Sequence, residues 1–154
     1  MKIHNIQLES FLDIQNLNLA IGNFDGLHLG HQKIIKKLIE KSSELKAESA
    51  IMSFIPHPRK YFSRNHTNFN IISDSLKIRL LKEFGIQHFI LLKFDNSIAS
   101  LSPLVFIKNI LVKKLKIKNI FVGHDFKFGK NREGDVSLLK QQSSIYDFGV
   151  NILE

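Results

Sequence analysis

Residues 17–46 read LNLAIGNFDGLHLGHQKIIKKLIEKSSELK, and the fold follows from this stretch. Leu17 to Asn23 is a short apolar run ending in Gly22-Asn23, the pattern of a buried strand. From Gly30 to about Lys46 the residues Ile34, Ile35, Leu38, Ile39 and Leu45 recur at helical spacing, while lysines and glutamates supply the wet face. A buried strand turning into an amphipathic helix is the opening half of a βαβ unit.

The same alternation continues along the chain. Ala50 to Ile55 is apolar and stopped by Pro56 and Pro58, so it reads as a strand entering a rigid loop. His57 to Ile72 is polar and follows neither period, which predicts a long loop. Ser73 or Ser75 caps a helix carrying Leu76, Leu80, Leu81 and Phe84, closed by Gly85. His88 to Phe94 is the next strand. Ser102-Pro103 opens a helix through Phe106, Ile107, Ile110 and Leu111. Asn119 to Val122 is a fourth strand, a Gly-rich stretch from Gly123 to Gly134 leads into a helix from about Asp135 to Gln142, and Val150 to Leu153 is the last strand. Five strand signals separated by helices predict one α/β domain with a doubly wound parallel sheet. In such domains ligands bind beyond the carboxyl ends of the strands, which groups the loops after Asn23, Pro56 and Val122 around one crevice.

Composition agrees with a globular domain. The chain has 154 residues, 44% hydrophobic and 23% charged, so it can bury a core, and disorder is excluded. It contains no cysteine, which rules out disulfides and thiolate metal sites. The start carries no apolar run of signal-peptide length, and nothing approaches a membrane span, so a cytoplasmic location is expected. Lysine and arginine number 22 against 14 acidic residues, a net charge of +8, which favours an anionic partner. A nucleic-acid platform is not expected, because the interleaved aromatic and basic residues of an RNA surface and a helix-turn-helix pattern are both missing.

The turn from Gly22 to His31 carries the chemistry. Gly22, Gly26 and Gly30 let the backbone turn tightly and approach a ligand, and the helix beginning near Gly30 directs its amino end at the crevice, where phosphate is attracted. His28 and His31, three residues apart, lie on one side of that turn and suit hydrogen bonding to a phosphate whose charge is growing. The spacing of a dinucleotide fingerprint is missing, and so is the Gly-Lys-Ser/Thr of a Walker loop. A zinc site using His57 as third ligand is disfavoured, since no cysteine or suitably spaced carboxylate accompanies it.

GNFDGLHLGH resembles the HxGH signature of nucleotidyltransferases, and its wider form, G-N-F-D-G-x-H-x-G-H-Q, resembles bacterial FAD synthetases. Phe54-Ile55-Pro56-His57-Pro58-Arg59 is similar to that family's F-x-P-H-P-R. Gly123-His124-Asp125-Phe126-Lys127-Phe128-Gly129, with Arg132, Gly134 and Asp135, is similar to its G-x-D-F-x-F-G-x-x-R-x-G-D. The resemblance implies a Rossmann-like nucleotidyltransferase domain that makes FAD and pyrophosphate from ATP and FMN with Mg²⁺. It further implies that His28 and His31 bind the α-phosphate of ATP and stabilise its transition state. Gly22, Asn23, Phe24, Asp25, Gly26 and Gly30 would then form the ATP side of the pocket. His57, Pro58 and Arg59 would lie over the flavin, with Asp125, Phe126, Phe128 and Arg132 completing the FMN side. Paired guanidinium groups at Arg59 and Arg132 suit phosphate geometry. Phe126 and Phe128 read equally well as a wall for a flat ring or as core.

Two departures from the family pattern set further expectations. Residues 1–154 would correspond to the FMN adenylyltransferase domain without its C-terminal end, since the S-S-T-x-I-R segment that follows the last strand in the family is not found. Gln142-Ser143-Ser144-Ile145 precedes that strand and lacks the Thr and Arg, so it does not inherit the role. Riboflavin kinase activity is not expected. The alternatives are a flavin- or nucleotide-binding module that no longer catalyses, and an HxGH transferase with another phosphorylated acceptor; the Pro-His-Pro-Arg loop argues against the latter.

Overall fold

Parallel strands alternate with helices through the whole of the computed structural model, which describes residues 1–63 and 73–154. In chain order the elements are β1 (Lys2–Ile6), β2 (Leu17–Ile21), α1 (Leu29–Leu45), β3 (Glu48–Ile55), α2 (Pro58–Phe62), α3 (Asp74–Phe84), β4 (His88–Lys93), α4 (Asn96–Ala99), α5 (Pro103–Val105), β5 (Ile117–Gly123), α6 (Val136–Tyr146) and β6 (Gly149–Leu153). α5 runs on without a break as a π-helical stretch, Phe106–Lys114, whose wide turns end with the Leu115 amide donating to the Ile110 carbonyl at 2.9 Å. Short 3-10 turns occupy Asp25–Leu27 and Lys130–Arg132.

The strand order is β1-β4-β3-β2-β5-β6 and every pairing is parallel. From β2 the chain builds outward through β3 and β4, then returns to lay β5 on the opposite flank of β2. That reversal opens a crevice beyond the carboxyl ends of β2 and β5. β3 is the other neighbour of β2, so the loops after β2, β3 and β5 meet at one end of the sheet. The sequence motifs occupy these three loops.

Side chains alternate between two cores. Leu17, Leu19 and Ile21 of β2 point to one face with Ala50, Met52, Ile90 and Leu92, where Ile107, Ile110, Leu111 and Leu139 cover them. Ala20, Ile51, Phe89 and Phe121 point to the other, against Ile34, Ile35 and Leu38 of α1 and Leu81 of α3. Each fully buried Leu or Ile contributes about 1.5–3 kcal/mol. β2 is buried along its whole length, which accounts for its unbroken apolar sequence. The one polar residue inside it, Asn18, is satisfied on both sides: its amide donates to Ser42 Oγ at 3.2 Å and its carbonyl accepts from Asn119 Nδ2 at 2.9 Å.

The helix boundaries follow their caps. Ser73 Oγ accepts the Leu76 amide, Ser102 Oγ the Val105 amide and Asp135 Oδ1 the Leu138 amide, while Gly85 closes α3 with φ 91°. Three expectations are corrected. A sixth strand, β1, pairs with β4 from Lys2↔His88 to Ile6↔Leu92; it is an edge strand with only Ile6 buried, so it carries no apolar signature. The loop expected from His57 begins instead with the helix α2, because His57 caps it and Pro58 takes its first position; residues 64–72 of that expectation lie outside the described residues. α6 extends through Tyr146, past the expected Gln142. Among the described residues no helix is long and apolar enough to cross a membrane.

Candidate active site

Between β2 and α1 the backbone makes a turn that few sequences tolerate. Phe24, Gly26 and Leu27 have φ of 53°, 72° and 43°, all left-handed. Glycine suits position 26 for that reason. Gly30 has a different role: a Cβ there would lie 3.0 Å from His28 Cε1, so a side chain would push the His28 ring away from the helix start.

His28 is the N-cap of α1, and its Nδ1 accepts the amides of Gly30 (3.1 Å) and His31 (3.4 Å). Two of the amides at this helix start, which the sequence reading directs at a phosphate, are therefore occupied by the ring of His28. With Nδ1 accepting those amides, Nε2 is the ring nitrogen left to donate. The exposed His28 ring stacks on that of the half-buried His31, with centroids 3.6 Å apart and planes 23° from parallel. Phe24 backs His31 with centroids 5.1 Å apart.

His31 is held neutral. Burial, then the neighbouring His28, then Lys77 push its pKa down to about 4, and Asp25 opposes them only in part. Its Nδ1 is buried and finds no hydrogen-bond partner among the described residues. An unpartnered buried ring nitrogen is uncommon in a folded domain.

The β3 loop reaches the same place. His57 caps α2 by accepting the Arg59 amide on Nδ1 at 3.0 Å. Burial and then Arg59 lower its pKa, with Asp25 raising and Lys77 lowering it further. Asp25 and Lys77 thus influence both His31 and His57. Arg59 is exposed on α2, and Pro58 is half-buried at its start. Lys77 was not among the residues singled out from the sequence. It is buried on the inward side of α3, four residues before buried Leu81, and that spacing was the available signal.

In the β5 loop, Phe128 and Gly134 pair as an antiparallel bridge that clasps the Lys130–Arg132 turn. Asp125 and Arg132 are exposed on it, and the guanidinium groups of Arg59 and Arg132 are held by no hydrogen bond or ion pair among the described residues. Phe24 (1% exposed) and Phe128 (5%) belong to the cores, so both act through packing. Phe126 stacks on Phe128 (5.4 Å), and ring contacts continue through Phe106, Phe54 and Phe94 to Tyr61 and Phe62. Phe62 at the far end is 68% exposed. This aromatic series links the β5 loop to α2, and the sequence reading found only part of it. No group of three His, Cys, Asp or Glu able to hold a metal occurs among the described residues.

Residues 12–154 match the family model described as FAD synthetase. The chain is 36% identical over 148 residues to a bifunctional riboflavin kinase/FMN adenylyltransferase of Buchnera aphidicola, covering 96% of this chain and 46% of that protein. The protein of the same description from Escherichia coli K12 is 36% identical over 132 residues, covering 86% and 42%. The chain thus spans about half the length of these curated relatives. In fold it is similar to a Streptococcus pneumoniae structure described as a macrolide-efflux protein, with TM-score 0.87, 24% identity, and coverage of 100% of this chain and 58% of that one. By sequence across nearly its whole length, the chain belongs to the FAD synthetase family.

Proposed function

We propose that this domain is an FMN adenylyltransferase, converting ATP and FMN into FAD and pyrophosphate. The observation that carries the reading is the stacked His28–His31 pair at the amino end of α1. Its curated relatives bear FMN adenylyltransferase in their descriptions, which supports the same choice.

The chemistry needs no base. The phosphate of FMN is already anionic at neutral pH, so one of its oxygens attacks the α-phosphorus of ATP in line. The bond from that phosphorus to the oxygen bridging to the β-phosphate breaks, and pyrophosphate leaves with the electron pair. The protein's work is to hold two anions together and to receive charge as it shifts. Nε2–H of His28 donates to the α-phosphate oxygens, and His31, stacked on it, is the second imidazole at the same group. The dipole of α1, seventeen residues long, adds positive potential there. Gly22, Asn23, Asp25, Gly26 and Gly30 form the nucleotide side, with Phe24 supporting His31 from the core. Pro58, Arg59, Asp125, Phe126 and Arg132 face the flavin and its phosphate, with Phe128 behind Phe126. Mg²⁺ bound to the ATP phosphates would neutralise part of their charge.

The test is incubation of the chain with FMN, ATP and Mg²⁺, followed by chromatographic separation of the flavins. FAD appearing in step with pyrophosphate is the expected result. Tight flavin binding with no FAD formed would make the domain a binding module instead.

A further inference from the structure

Among the described residues Lys77 is the only buried lysine, 6% exposed, and burial of a cation requires a partner. Its Nζ donates to the carbonyl of Asn23 at 3.1 Å, across 54 residues of sequence. Asn23 opens the turn in which Phe24, Gly26 and Leu27 are all left-handed. Such a backbone persists only where its surroundings over-determine it. Three side chains from three elements do so here. Ser53 of β3 donates to the Gly22 carbonyl at 2.7 Å, Lys77 of α3 to that of Asn23, and Gln32 of α1 to that of Leu27 at 2.9 Å. Only Lys77 among them carries charge.

We propose that Lys77 is a positioning residue for adenylyl transfer: its ammonium, bonded to the Asn23 carbonyl, holds the β2–α1 turn so that His28 and His31 meet the α-phosphate. The inference rests on the adenylyltransferase reading and adds a residue to it. Asp25 and Asp74 favour the charged amine against the burial that lowers its pKa. The same charge, with His28 and against Asp25, contributes to the lowered pKa of His31.

Two substitutions in the full chain test it. Lys77→Met keeps the apolar stem and removes the ammonium; Lys77→Arg keeps charge and donors. The first readout needs no substrate: NMR titration of the His31 ring. Lys77→Met should raise its midpoint above that of the wild type, with Lys77→Arg staying close to wild type. The second is steady-state kinetics, where Lys77→Met should lower kcat by about tenfold or more while KM for FMN stays within about twofold. An unmoved His31 midpoint together with wild-type kcat overturns the proposal, as does an effect confined to KM. Should Lys77→Met fail to fold, Lys77→Gln is read by the same two measurements. If the wild-type chain makes no FAD, the functional reading falls and this proposal with it, whereas FAD formed by the wild type and at an unchanged rate by Lys77→Met overturns the proposal alone.

Discussion

The imidazole of His28 does two things at once: it caps α1 through Nδ1 and stacks on His31 at 3.6 Å. One ring thereby couples the stability of the helix start to the placement of both histidines.

Separating those two contributions is a matter of choosing the substitution. His28→Ala should destabilise the fold by about 1 kcal/mol through loss of the cap, and slow FAD formation by roughly 10²-fold. His28→Asn restores a capping oxygen without a ring that reaches the phosphate. It should melt near the wild-type temperature yet remain slow. Thermal melts alongside chromatographic rate assays check both, and a fast His28→Asn would remove the ring from the chemistry.

Acid should weaken this fold through His31. Its pKa is about 4 in the folded state against an ordinary 6.5, so below 6.5 the unfolded chain takes up the proton first. Stability from this group is present above that value and is lost as the pH falls from 6.5 toward 4. His57 and His4, both lowered chiefly by burial, act in the same direction. Denaturant unfolding at a series of pH values should show this slope, and His31→Gln should flatten it.

Arg59 is exposed, is tied to no carboxylate among the described residues, and sits two residues after His57 on α2. Arg59→Ala should weaken FMN binding by about tenfold and leave ATP binding nearly unchanged, as expected for loss of a charge-assisted phosphate contact. Flavin fluorescence titration and nucleotide calorimetry measure the two. Equal losses would move Arg59 away from the flavin.

The two ends of the aromatic series should respond oppositely. Phe128→Ala removes a core ring and should cost about 3–5 kcal/mol of stability, read by denaturant unfolding. Phe62→Ala removes an exposed ring and should leave stability nearly unchanged while lowering flavin affinity about three- to tenfold, read by fluorescence titration. An unchanged affinity would leave Phe62 outside the flavin site.

Much of the architecture was legible from local pattern. The strands at 17–21, 88–93 and 149–153 and the helices after Gly30, Ser73, Ser102 and Asp135 all announce themselves by apolar period or by cap, which are properties of neighbouring residues. β1 was not legible: its Lys2–Ile6 segment is nearly all exposed and becomes a strand only because the edge of β4 offers it hydrogen bonds. α2 hid in a polar segment, since the capping by His57 depends on where that ring turns.

For the site the division is similar. The sequence alone determined the turn with its two histidines and the order of the three loops, because spacing along a backbone is a local matter. Tertiary structure decided that the His28 ring closes onto its own helix amides, that Phe24 and Phe128 are core, and that Lys77 lies buried beneath the Asn23 carbonyl. Those outcomes depend on contacts such as the 54-residue span from Asn23 to Lys77, which form only when sheet and helices pack together and desolvate what lies between them.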